Sequence, residues 1–158
     1  MSAPLLSPLA IYLSLWPLFA GFRIERAVFV VLDERRVPRR TIIREGGASE
    51  PSVSIRYAEL VDAVLASGER RALLAHNHVS GSLQASAGDI HATAGLAKAC
   101  KDAGVSLTGS YILAETGMSI IEPPRGLWYS GGSAVLVRSP LSRTVAGLAR
   151  AGRERWGR

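Results

Sequence analysis

Hydrophobic positions change period several times along the chain, and each change marks an element. Residues 3–22 (APLLSPLAIYLSLWPLFAGF) carry no charge, and Ser7 followed by Pro8 has the form of an N-cap with a first-turn proline. The stretch has the length of a membrane span. Three prolines interrupt it, however, and no basic residue precedes Arg23 as a secretory leader would require. The prediction is an apolar core-packing helix within 7–22 and no membrane span. AVFVVLD, residues 27–33, is the unbroken valine-rich run of a strand buried on both faces. A polar turn at Glu34–Arg36 leads into VPRRTIIRE, the expected hairpin partner, which Glu45 closes before Gly46 and Gly47.

Further on, Leu60, Val61, Val64 and Leu65 recur at helical spacing, and Ser67 and Gly68 end that helix. RALLAHNH is an apolar strand running straight into two histidines, and a small polar loop follows it. A second helix is expected from Ser86 to about Ala103, with Gly104 as its stop. VSLTGSYILA and MSIIE predict two more strands. Pro123 and Pro124 mark the exit from the compact unit, and the segment after Ser139 reads as a helix rich in arginine. The plan is one domain over 1–124 and a basic extension over 125–158.

Composition narrows the class. A chain of 158 residues, 47% hydrophobic and 20% charged, can bury one real core and is not disordered. The net charge of +6 is concentrated in residues 138–158, where six arginines face the single acid Glu154. A solvated helix accounts for such a tail; weak nucleic-acid binding through it is the functional alternative. Cys100 is the only cysteine and falls on a helix, so no intrachain disulfide forms, and a reducing, cytoplasmic setting is expected. As a small buried apolar residue it needs no ligand role.

The chemistry lies in His76-Asn77-His78, then seven residues, then Ser86, two more residues, and Asp89. Side chains two apart on a strand share a face, so both imidazoles can reach one point while Asn77 turns away. If Ser86 caps the following helix, Asp89 falls at its third position, beside the first turn. Two histidines and a carboxylate would leave one position open on a tetrahedral zinc, as catalytic sites do, and zinc brings the pKa of a water to about 7 in the best-known case. Glu45, ending a strand, is the candidate base; Glu50, five residues on, is the alternative. His91 lies roughly 200° round the helix from Asp89 and is placed on a solvated face. Trp128 and Tyr129 are read as aromatics packing a terminal segment.

The HxHx7SxxD spacing with an upstream glutamate resembles the JAMM signature of JAB/MPN domains. Within that group the chain is similar to the RadC family from Ser7 to about Glu122, through LLAHNHxSG at 73–81 and REG at 44–46. The resemblance implies a three-layer α/β/α fold of the cytidine-deaminase-like kind with a mixed sheet. It implies zinc on His76, His78 and Asp89, Glu45 as general acid/base, and Ser86 as a donor to the tetrahedral oxyanion. Hydrolysis of a peptide or isopeptide bond in a protein or peptide substrate is the implied activity. The chain departs from the family pattern at Val79 and Ala85, where prolines are usual, and at Gly109-Ser110, where an Asp-His pair is usual. The rival reading is a nucleic-acid-associated protein with a structural or vestigial zinc site, motivated by the arginine tail and by the DNA-repair association attached to the family. An intact ligand set with a base favours the enzyme.

Overall fold

The computed structural model describes residues 3–46, 56–121 and 133–138, the last as backbone. Strands β1 (Arg26–Leu32), β2 (Pro38–Glu45), β3 (Arg71–His76), β4 (Ser106–Ala114), β5 (Gly117–Ile121) and β6 (Ser133–Arg138) form one sheet in the order β2-β1-β3-β4-β5-β6. The sheet is mixed: β3 and β4 are parallel, and the other neighbours are antiparallel. Helix α1 (Pro8–Leu15) covers one face, while α2 (Tyr57–Ala66) and α3 (Ala87–Asp102) cover the other. This is the three-layer α/β arrangement expected.

β1 shows why the layers form. All seven of its residues are buried, and successive side chains point to opposite faces. Val28, Val30 and Leu32 pack with Ile11, Tyr12 and Leu15 of α1. Ala27, Phe29 and Val31 pack with Leu60 and Val64 of α2 and Leu96 and Cys100 of α3. A strand that is buried at every position and apolar from Ala27 to Leu32 thus requires helices on both sides.

Three expectations need adjustment. The apolar helix is shorter than 7–22: α1 ends at Leu15, and Pro17 tightens the chain into a 3-10 turn over Trp16–Leu18. Ser7 caps α1 as expected, its Oγ accepting the Ala10 N–H at 3.2 Å. β3 ends at His76 and not at His78. The sheet also continues past Pro124, because β6 pairs antiparallel with β5. The rest of the expected basic extension, including the helix after Ser139, lies outside the described residues, as do Trp128, Tyr129 and Glu50.

No helix among the described residues is long and apolar enough to cross a membrane. α1 instead docks through Tyr12, whose hydroxyl donates to the carbonyl of Ala114 at 3.1 Å. Leu15 on this helix is 4% exposed, whereas Leu13 is 54% exposed. Leu15→Ala should therefore cost about 2–5 kcal/mol of unfolding free energy, and Leu13→Ala under about 0.5 kcal/mol, read from urea denaturation midpoints. Equal midpoints for the two variants would show that α1 is not part of the folded core.

Candidate metal centre

Between the parallel strands β3 and β4 the chain must cross the sheet, and α3 makes the crossing. The C-terminal end of β3 and the N-terminal turn of α3 thereby meet at one edge, where α/β proteins commonly bind ligands. Ser86 is the N-cap of α3, and with Asp89 it forms a capping box: Ser86 Oγ accepts the Asp89 N–H at 3.1 Å, while Asp89 Oδ2 accepts the Ser86 N–H at 2.7 Å. The Ser86 hydroxyl proton also goes to Asp89 Oδ2, at 2.7 Å. The carboxylate is thus held at the helix end and aimed at β3.

There it meets both histidines. His76 Nε2 lies 3.2 Å from His78 Nε2 and 3.2 Å from Asp89 Oδ1, and His78 Nε2 lies 3.0 Å from Asp89 Oδ2. Ligand atoms about 2.0–2.1 Å from one tetrahedral zinc stand about 3.3 Å apart, so these separations suit three ligands of a single ion. His78 Nδ1 faces the Ser82 carbonyl at 3.0 Å. That contact puts the ring proton on Nδ1 and leaves the Nε2 lone pair bare toward the shared point, the outer-shell arrangement typical of a metal-ligating histidine. Burial raises the Asp89 pKa, but hydrogen bonds with His76 and Ser86 outweigh it and hold the carboxyl well below the usual range. Asp89 is therefore anionic at neutral pH. His76, His78 and Asp89 form the one His/Cys/Asp/Glu group of this kind among the described residues.

The loop between His78 and Ser86 is secured without the prolines the family pattern carries at 79 and 85. Gly81, at φ 71°, donates its N–H to the His78 carbonyl at 2.9 Å, and Ser119 Oγ on β5 donates to the Leu83 carbonyl at 2.6 Å. At Gly109 an added Cβ would overlap the Tyr111 ring, so an aspartate there and Tyr111 in this position exclude each other. Ser110 is fully buried and shares a 2.9 Å hydrogen bond with Thr93 of α3.

A cavity of about 770 Å³ opens over these three side chains, and Ser86 also lines it. Glu45 does not line it. Cross-strand partners share a face of the sheet. Ala27 is the partner of both His76 and Arg44, so these three side chains face α2 and α3. Glu45 is the partner of Arg26, on the α1 face, where its carboxylate is ion-paired with the Arg26 guanidinium. The strand that brings Glu45 to the edge therefore turns its side chain away from the histidines. Besides Asp89, the acidic residue that lines the cavity is Glu25, which sequence reasoning missed. It lies just before β1, two residues ahead of Ala27, the partner of His76. The clue was available: antiparallel neighbours run in opposite senses, so the start of β1 must lie beside the end of β3.

His91 is exposed, as expected, and Cys100 is fully buried, with its thiol pKa pushed up to about 11 by burial.

A family model described as RadC-like JAB domain matches residues 5–125. The chain belongs to the RadC-like JAB domain family, and its sheet, helices and His-His-Asp group agree with that membership. No curated protein matches it.

The geometry predicts one divalent ion per chain. His78→Ala and Asp89→Ala should lower its affinity by at least about 100-fold, since an open three-ligand site has no ligand to spare, while His91→Ala should leave it unchanged. Equilibrium dialysis with metal analysis reads the result.

Proposed function

We propose that the protein is a zinc-dependent metallopeptidase or isopeptidase, hydrolysing a peptide or isopeptide bond with water. The observation that carries this reading is the convergence of His76 Nε2 and His78 Nε2, 3.2 Å apart and each within 3.2 Å of one oxygen of the Asp89 carboxylate, at the wall of an open cavity that Glu25 also lines. A closed structural zinc site would use four protein ligands; three beside a cavity suit a site that receives water and substrate.

When bound, the metal supplies Lewis acidity that polarises a carbonyl and makes water acidic enough to lose its proton near neutral pH. His76, His78 and Asp89 hold it. Glu25 is the acid/base group: its carboxylate accepts a proton from the attacking water and returns it to the leaving amine. This assignment replaces Glu45, whose carboxylate is committed to Arg26 on the other face. Ser86 orients Asp89 in the free protein, because its single hydroxyl proton is given to Oδ2. To assist an oxyanion, Ser86 must turn that proton away from Asp89. The cavity wall beside the ligands is built from small residues, Ala27, Gly88, Ala92 and Thr93, and fits an extended peptide chain. The lone buried thiol at Cys100 suits a reducing compartment, and we place the protein in the cytoplasm on that ground.

The experiment is a pair of variants assayed on linear and isopeptide-linked peptides. Glu25→Gln should keep the zinc and lose about 10²–10⁴-fold in kcat, because an amide cannot accept the proton. Glu45→Gln should stay within a few fold of the parent. A dead Glu45→Gln beside an active Glu25→Gln would return the base to β2, and zinc-loaded parent protein that cleaves neither class of substrate would remove the peptidase reading.

A further inference from the structure

The two histidines are separated by Asn77, which is only 6% exposed, and both ends of its side-chain amide are hydrogen-bonded. Oδ1 accepts the Arg26 N–H at 2.7 Å, and Nδ2 donates to the Ile24 carbonyl at 3.1 Å. The Asn77 main-chain N–H donates to the Arg26 carbonyl at 3.3 Å. The two peptide groups on either side of Glu25 are therefore both held by one side-chain amide.

The pairing has a consequence for the histidines as well. His76 is the last residue of β3, so His78 lies beyond the strand, yet its Nε2 stands 3.2 Å from that of His76. The chain leaves the strand after His76 and turns at Val79 and Ser80. In a regular antiparallel pair the Arg26 N–H would be taken by the main-chain carbonyl of the opposite residue. Here the Asn77 side chain takes it instead, so the ladder stays closed while the backbone is released to turn. His78 then swings toward Asp89, and its Nδ1 is caught by the Ser82 carbonyl.

We infer that Asn77 is a positioning residue that sets both halves of the site: it permits the bend that brings His78 onto the metal point, and it fixes Glu25 opposite that point. Few side chains can do this. Aspartate has no donor for the Ile24 carbonyl, leucine offers neither group, and glutamine carries the same amide one methylene too far. On the opposite face Arg26 is anchored separately, through the Leu18 carbonyl at 2.5 Å and through Glu45, so losing the amide loosens the segment without releasing it. The inference rests on the metal-site reading above, but its first readout does not need hydrolysis.

The experiment measures zinc affinity by chelator competition in the full chain, for Asn77→Leu, which keeps the volume, and Asn77→Gln, which keeps the amide. Leu15→Ala is the control, a destabilised fold with an untouched site. The expected result is a 10–100-fold loss of affinity in Asn77→Leu, the range for an outer-shell partner, a smaller loss in Asn77→Gln, and none in Leu15→Ala. Where Asn77→Leu does not fold, Asn77→Gln is judged alone and must still show weaker binding than Leu15→Ala. Parental affinity in a folded Asn77→Leu protein, or in Asn77→Gln when it is judged alone, overturns the inference whatever the activity. A loss of affinity in protein that cleaves no substrate upholds it while removing the peptidase reading. With hydrolysis in hand, a cycle of Asn77→Leu with Glu25→Asp separates positioning from bulk structure. Asn77→Leu should cost kcat much less on the Glu25→Asp background than alone, whereas fully additive losses would show that Asn77 does not act through Glu25.

Discussion

The parallel pairing of β3 with β4 constrains everything at the site. Parallel neighbours cannot be joined by a tight turn, so the chain has to leave the end of β3, cross one face as α3, and return. The crossing brings a helix N-terminus back to the end of the strand it started from, and the first-turn amides create a local preference for negative charge there. Asp89 answers that preference and is stabilised as an anion by Ser86. His76 closes the apolar part of the strand and His78 follows just beyond it, so both histidines lie at that same end. One topological necessity thus brings an anion and two imidazoles around a point, and the segment leading into the antiparallel neighbour β1 places Glu25 at the same cavity.

The cavity over this point reflects substitutions of size and polarity. Thr93 and Ser110 satisfy each other inside the protein, so the α3–β4 contact is closed by a neutral pair. Tyr111 is buried to 6% exposure and covers Gly109 on its own strand. The side of the site that the Asp-His pair of the family pattern would furnish is here short and uncharged. Polar contacts at the cavity come instead from the loop, where Ser80, Ser82 and Gln84 line it.

Much of this was legible from residues alone because the signals were local. The continuous apolar run of β1, the helical spacing from Leu60 to Leu65, the Ser86 cap and the Gly104 stop each depend on neighbours within one turn or one strand. The His-His-Asp group that could hold a metal was legible for the same reason: two histidines at the end of a strand and an N3 carboxylate on a helix fix directions over a few residues. What stayed hidden was register. Whether Glu45 or Glu25 faces the histidines depends on which residues pair across β2, β1 and β3, and a shift of one residue moves every side chain to the other face. Pro17 ended the first helix earlier than its composition suggested, and β6 lay beyond two prolines that read as an exit. Asn77 was read as turning away from the site, which is true of its direction but not of its hydrogen bonds.

The central claim is that His76, His78 and Asp89 hold a single metal ion beside Glu25. Anomalous diffraction at the zinc edge from crystals of the zinc-loaded protein tests it most directly. The account predicts one peak per chain, about 2.0–2.2 Å from His76 Nε2, His78 Nε2 and an Asp89 oxygen, with the Glu25 carboxylate facing it across the cavity. A peak elsewhere, or a fourth protein ligand closing the coordination, would contradict it.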